Sequence, residues 1–167
     1  MDPSHPSIPG PQKADFKKWE AAGKKHLAEL QKHVGQGGWS VEIEGDIKAL
    51  AQKAKYDSGG IVIWDYSKRM GEVVSEFYLQ SIAKMFEPSK YNTSDDIKKA
   101  FLDATANRKI ILRPMFEEGS EDYTNPHQRV SFENGNMTVS FTAEHFGVNA
   151  SDDLAFCQLE NIDSIWG

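Results

Sequence analysis

The sequence predicts an α+β fold with a mixed sheet that is covered mainly on one face. Helical periodicity dominates the chain up to residue 107, strand-like alternation dominates after it, and an apolar run near residues 60–65 indicates a strand between them. Because a regular alternation of strands and helices is not sustained, a doubly wound α/β fold is the alternative.

The N-terminal third is predicted to be mainly helical. From Lys13 to Val34, apolar side chains recur at three- and four-residue steps, with lysines at many intervening positions. Glycines end this helix, and residues 39–44 then alternate as a half-exposed strand before a short helix over residues 46–56. Residues 1–12 hold four of the seven prolines. We expect them to form a flexible tail, which leaves residues 13–167 as one globular domain.

The stretch from Gly59 to Tyr66 is the most informative part of the sequence. Four large apolar residues lie between two glycines and Asp65, a pattern typical of a strand buried on both faces. We therefore expect a central strand at about residues 60–65. The residues that follow such a strand emerge at a sheet edge where ligands commonly bind, so Asp65 and Tyr66 are candidate site residues.

The second half begins with two further helices. Ser67 is expected to cap a helix that ends at Phe86, before Pro88, and a capping box over residues 93–96 begins the next helix. Residues 109–114 form a predicted core strand, where pairing should stop at Pro114. The alternation on both sides of residues 134–136 is the strongest hairpin signal, and predicts a C-terminal β-hairpin over about 129–142. Residues 144–167 follow no single period, and their structure is left open.

Composition limits the class of protein. Cys157 is the only cysteine, so no intramolecular disulfide can form. The N-terminal residues lack the pattern of a secretory signal, and no apolar run approaches the roughly 20 residues that a membrane span needs. These observations favour a soluble, cytoplasmic protein without a membrane partner.

Charge is distributed unevenly along the chain. Residues 1–113 carry 18 basic and 15 acidic residues, whereas residues 114–167 carry one arginine and ten acidic residues. An acidic segment repels phosphate backbones and attracts cationic partners, which disfavours non-specific nucleic-acid binding. The leading hypothesis is an interaction or inhibitor-type protein, similar in role to immunity proteins, that binds a basic macromolecular partner through its acidic C-terminal half.

The alternative hypothesis is a small hydrolase, with nuclease as its first subclass, and the sequence leaves open whether the chain is an enzyme. Antiparallel pairing would bring His127 near Glu144 and His145 at the open end of the C-terminal hairpin, and Asp65 could join them. A histidine and a carboxylate in contact can act as a general acid and base.

Further candidate binding residues come from charges in unusual places. Lys68 and Arg69 put positive charge where a helix N-terminus disfavours it, so we expect them to have another, acidic partner. Tyr66 and Arg129 lie beside the candidate catalytic residues. The loop after residue 116 carries four carboxylates, those of Glu117, Glu118, Glu121 and Asp122. Hard cations prefer such oxygens, but the spacing of these residues does not match an EF-hand.

Glycines and histidines give no cofactor motif. The glycines at 35–38 and 59–60 do not stand between a strand and a helix, where a phosphate-binding loop requires them. His26 and His33 are seven residues apart, about 10 Å along a helix, whereas a chelating pair is normally four apart. We therefore predict neither a cofactor nor a metal site, and leave the oligomeric state open.

Overall fold

The computed structural model describes residues 10–87, 94–116, 128–148 and 150. The helices are α1 (Gly10–Val34), α2 (Ile47–Lys53), a composite α3 and α4 (Asp95–Ala104). Helix α3 consists of Met70–Glu72, the π-helical segment Val73–Leu79 and Gln80–Lys84. The strands are β1 (Ser40–Ile43), β2 (Lys55–Ser58), β3 (Ile61–Asp65), β4 (Lys109–Met115), β5 (Gln128–Glu133) and β6 (Asn136–Thr142), followed by a 3₁₀ turn, Ala143–His145.

Four of the strands form a mixed sheet in the order β1-β4-β6-β5. The pairs β1–β4 and β4–β6 are parallel, and β5–β6 is antiparallel. Helices come first and most of the sheet later, so the predicted α+β class is confirmed. Ile110 and Leu112 of β4 are fully buried, as are Val139 and Phe141 of β6, because these two strands occupy the centre of the sheet.

The strand predicted near residues 60–65 is present as β3, but the prediction that it lies at the centre of the sheet is wrong. Within the described residues β3 pairs with β2 alone, in a separate two-stranded sheet. Gly59 and Gly60 both have positive φ, 59° and 81°, and fold β3 back onto β2 in a tight turn. An apolar run carries no information about its pairing partner, and here the central position belongs to β4.

The C-terminal hairpin confirms its sequence signal. Glu133 pairs with Asn136, so Asn134 and Gly135 form a two-residue loop, and both have positive φ, 53° and 78°. These conformations define a type I′ turn, whose twist matches that of the flanking strands.

Pro114 stops pairing on one side of β4 only. On the β1 side, the N–H of Ser40 donates to the carbonyl of Arg108 at 3.0 Å, and that of Glu44 to the carbonyl of Leu112 at 2.9 Å. The next bond on this side would need the N–H of residue 114, which proline lacks. Pairing with β6 uses the alternate residues, and therefore continues to the end of β4.

Helices α1 and α3 approach each other at Gly71. A Cβ atom at this position would stand 2.5 Å from the carbonyl oxygen of Asp15 and 2.8 Å from the Cα of Phe16, so only glycine fits. At the same contact, the N–H of Glu72 donates to the carboxylate of Asp15 at 3.1 Å. A side chain of α1 thus satisfies one of the free N–H groups at the start of α3.

The predicted starts of three helices need correction. Ser67 does not cap α3, which begins at Met70 with Arg69 in the cap position. Helix α1 begins at Gly10, so it includes the last three residues of the predicted tail. Helix α4 is capped by Ser94, whose hydroxyl accepts from the N–H of Ile97 at 3.3 Å, one residue later than the predicted capping box implies.

Aromatic side chains join α3 to the sheet and to α4. The ring of Tyr78 lies 5.6 Å from that of Phe141 and 5.7 Å from that of Phe146, and Phe86 lies 4.6 Å from Phe101 of α4. All five rings are fully buried. Among the described residues, no helix combines the length and the apolar character needed to cross a membrane.

We predict that Gly71→Ala lowers the free energy of unfolding by about 1–3 kcal/mol, because the new methyl group overlaps the backbone of α1, which cannot move aside cheaply. Urea denaturation measures the change. Gly23→Ala, at the same helix contact, is the control. Its Cβ would meet the flexible Leu79 side chain at 3.4 Å, and alanine favours the helix by up to about 1 kcal/mol. Equal stability of the two variants would contradict the proposed contact.

Candidate functional site

The β2–β3 hairpin is held firmly at its base. The N–H of Tyr66 donates to the carbonyl of Ala54 at 2.8 Å, at the end of α2. The indole N–H of Trp64 donates to the carbonyl of Glu144 at 3.2 Å, and Gln12 of α1 donates to the carbonyl of Ser67 at 2.7 Å. Three separate parts of the fold therefore fix the point at which the hairpin leaves the body of the protein.

The tip of this hairpin exposes apolar side chains. Ile61, Val62 and Ile63 are 68%, 65% and 53% exposed, and they are three of the four large apolar residues that are exposed within the described part of the chain, the other being Phe116. Tyr56 pairs with Trp64 and Asp57 with Val62, so Ile63 is an extra residue in β3 and interrupts the strict alternation of faces at the tip. We call these three residues the apolar tip; a contiguous exposed apolar patch of this kind is typical of an interaction site.

Asp65 closes the turn that follows β3. Its carboxylate accepts from the hydroxyl of Ser67 at 2.6 Å and from the N–H of Ser67 at 3.0 Å. These two bonds, the hydroxyl first, lower the pKa of Asp65 below its ordinary value, and Lys55 and Lys68 lower it further. The carboxylate thus supports a local turn ahead of α3, although it does not cap the helix itself.

Tyr66 and Arg69 pack together beside the same turn. The ring of Tyr66 contacts the edge of Phe77 at 5.5 Å between centroids, and the guanidinium of Arg69 lies 5.5 Å from the Tyr66 ring. Arg69 Nε donates to the carboxylate of Glu72 at 2.6 Å, which raises the pKa of Arg69. The acidic partner expected for Arg69 is therefore Glu72, whereas Lys68 is exposed to solvent.

Glu144 and His145 lie next to Trp64. The rings of Trp64 and His145 are 6.2 Å apart, and His145 Nδ1 forms a hydrogen bond with the Thr142 hydroxyl. Because Trp64 and Asp65 are adjacent in β3, their side chains leave the strand on opposite faces. The structure thus brings His145 to Trp64, while the Asp65 carboxylate is bound to Ser67. His127 lies outside the described residues, so the predicted acid–base pair stays a prediction.

The remaining candidates are separate from the hairpin or not described. Arg129 lies in β5 opposite Ser140 of β6, and is half-buried. Glu117, Glu118, Glu121 and Asp122 lie outside the described residues. Within the described ranges, no three side chains of His, Cys, Asp or Glu gather in a way that could hold a metal ion. His26 bonds to Glu76 across the α1–α3 contact at 2.9 Å.

Sequence reasoning missed the exposure of the apolar tip, although one signal was available. The segment before the two glycines, residues 55–58, is mostly polar and long enough to pair with the apolar run that follows them. Two strands joined by Gly-Gly are also a hairpin pattern, although a weaker one than Asn-Gly.

The fold and the site together define an α+β protein that carries a projecting apolar hairpin on a rigid base. Comparisons with protein-family models, with curated proteins and with solved structures give no match.

We predict that Asp65→Asn lowers the free energy of unfolding at pH 7 by less than about 1 kcal/mol, since Asn can accept the same bonds and the site is exposed. The pKa of Asp65 is lowered on folding from a value near 3.8, so ionised Asp65 stabilises the fold above that pH, and this contribution is lost as the pH falls through the folded pKa. Urea titrations from pH 7 to pH 2.5 measure the free energy of unfolding of both proteins. The difference between wild type and Asp65→Asn should be constant above about pH 5 and should shrink below about pH 4.

Ser67→Ala is the matched background for this measurement, because it removes the hydroxyl donor and keeps the backbone donor. In proteins that carry Ser67→Ala, the change in the free energy of unfolding caused by Asp65→Asn should be smaller. A difference that is independent of both pH and Ser67 would contradict the assigned role of the carboxylate.

Proposed function

We propose that this chain is a protein-interaction module whose apolar tip forms the centre of its interface with a macromolecular partner, a protein that combines an apolar recess with a basic surface. The observation that carries the proposal is the exposure of Ile61, Val62 and Ile63 on an anchored hairpin. Solitary exposed apolar residues are ordinary, but three in succession on a projecting strand indicate a surface that is covered in a complex.

The energetics favour such an interface. Complete burial of an aliphatic side chain of this size stabilises a complex by about 1.5–3 kcal/mol, so three of them can supply the central contribution to a specific complex. The bonds of Trp64 and Tyr66 hold the hairpin base before binding. Less conformational entropy is then lost on association, which improves affinity without further contacts.

The excess of acidic residues in the C-terminal part of the chain supports a basic partner. Residues 114–167 carry ten acidic residues and one basic residue. Of the acidic residues that the structure describes, Glu133 is paired with Arg113, whereas Glu144 is exposed and belongs to the turn that receives the Trp64 bond. Glu144 adds a negative charge at the hairpin base, where Lys55 and Lys68 also lie, so the attraction of a basic surface rests on the acidic residues of 114–167 as a whole.

We predict that the double variant Ile61→Asn/Ile63→Asn keeps the Tm of the wild type and weakens partner binding at least tenfold. Both side chains are exposed in the free protein, so their replacement hardly changes folding, while both would be buried in the complex. The partner is isolated by affinity capture on the wild type, and its Kd for each variant is then measured by calorimetry. Val62→Asn should also weaken binding, but by less than the double variant, because it removes one buried side chain and not two.

A captured protein that binds wild type and double variant with equal Kd would overturn the proposal. Light scattering of the free protein adds a second test. A dimer that dissociates in the double variant would show that the tip joins two copies of this chain, contrary to the proposal of a different partner.

The contribution of charge to partner binding is tested separately, by varying the salt concentration. Raising the salt concentration to 0.5 M should weaken binding several-fold through slower association, because the Debye length falls to a few ångströms. Stopped-flow measurements of the association rate provide the readout. A rate that is indifferent to salt would remove the basic surface from the description of the partner, while leaving the role of the apolar tip to the preceding test.

A further inference from the structure

A cavity of about 220 Å³ lies between α1, β1 and α3. Its walls are mainly apolar and include three aromatic rings. The wall includes Phe16, Trp19 and Leu27 of α1, Trp39 just before β1, and Val74 and Ser75 of α3. None of them belongs to the apolar tip, so the inference that follows is independent of the proposed function.

One polar group in the cavity wall lacks a partner. The side chain of Ser75 is 2% exposed, and its hydroxyl forms no hydrogen bond within the described part of the chain. Ser81, on the same helix, shows the usual behaviour of a buried serine, because its hydroxyl donates to the carbonyl of Phe77 four residues earlier at 2.6 Å. Burial of an unpaired hydroxyl is costly, so this exception calls for a reason.

The residue that carries this hydroxyl stands in an irregular part of α3. Ser75 lies in the π-helical segment, where the backbone N–H of Gln80 bonds to the carbonyl of Ser75, five residues earlier. Such wide turns occur frequently at functional sites. Across the cavity, Gly23 faces this hydroxyl: a Cβ atom there would stand 4.0 Å from the Ser75 oxygen and 3.4 Å from the Leu79 side chain.

We propose that this cavity binds a small, neutral, planar aromatic molecule of one or two rings that carries one hydrogen-bonding group for the Ser75 hydroxyl. The volume exceeds the roughly 150 Å³ in which an apolar protein cavity accommodates benzene. Aromatic walls favour a flat ligand through offset or edge-on ring contacts.

A neutral ligand follows from the charges at the cavity. Glu20 and Lys24 are the charged residues in its wall within the described structure, and their side chains pair with each other at 3.3 Å. Both side chains are exposed to solvent, and the other wall residues are uncharged, so the interior of the cavity offers no counter-ion to an ionised ligand. A charged molecule would therefore lose its hydration without gaining a counter-ion.

Indole is the probe, because it has two fused rings and one N–H donor, and indene is its matched control, with the same shape and no donor. Calorimetry measures Kd, and amide and indole N–H shifts in NMR spectra locate the site. We expect indole to shift the signals of Trp19, Trp39 and Ser75, and to bind several-fold more tightly than indene.

Two kinds of variant complete the test. Ser75→Ala should reduce indole affinity about 2- to 10-fold, leave indene affinity unchanged, and not lower the Tm, because it removes an unpaired hydroxyl. Ser81→Ala is the control. Its hydroxyl is paired and lies outside the cavity wall, so this change should lower the Tm and leave indole binding unchanged.

Val74→Phe fills the cavity and should abolish binding of both probes. Leu27→Trp serves the same purpose if Val74→Phe does not fold.

The proposal is overturned if indole causes no shifts around the cavity at millimolar concentration, or if the cavity-filling variant binds it as the wild type does. Equal affinities for indole and indene, or an unchanged indole affinity in Ser75→Ala, would overturn the role of the hydroxyl. Loss of partner binding in the tip variants bears on none of these outcomes.

Discussion

The close approach of α1 and α3 at Gly71 is the constraint on which the rest of the structure depends. The carbonyl of Asp15 occupies the space that any side chain at position 71 would need. Because the two backbones meet there, the Asp15 carboxylate reaches the N–H of Glu72, and α3 runs on to place Tyr78 against the sheet. A change at Gly71 would therefore disturb the helix layer, its contact with the sheet and the wall of the cavity together, since close-packed interiors transmit such shifts.

The same contact determines where the hairpin stands. The segment between β3 and α3 is short, and it is bound on both sides, by Gln12 of α1 to the carbonyl of Ser67 and by Tyr66 to Phe77 of α3. The hairpin base is thus a consequence of helix packing, whereas its tip makes no comparable contribution to the core. Recognition elements commonly follow this division, in which a rigid scaffold positions a projecting segment that packing does not require.

Sequence reasoning succeeded where the determining interaction is local. Asn134 and Gly135 specify their turn by backbone conformation alone, and Pro114 ends one ladder through the absence of its own N–H. It failed at β3, where an apolar run typical of a buried strand outweighed the local Gly-Gly signal of a hairpin. It failed also where a distant partner decides, because nothing near Ser67 shows that Asp15, 57 residues from Glu72, would provide the bond at the start of α3. The expectation for Asp65 depends on the same strand: Asp65 follows β3 and supports a surface turn, and it does not lie at the edge of the central sheet.

Two features of this chain depart from the usual distribution of polar and apolar groups, and they do so in opposite directions. Ile61, Val62 and Ile63 are apolar and exposed, while the Ser75 hydroxyl is polar, buried and unpaired in the described structure. Each departure lowers stability or solubility, and each could be removed by substitutions that leave the fold unchanged: several at the tip and one at Ser75. Local rules are broken in natural proteins mainly at functional or strained sites. Neither Gly71 nor the Tyr78 packing requires either feature, so the fold does not explain them. The proposed binding of a macromolecule at the tip and of a small molecule at the cavity would give each feature a reason.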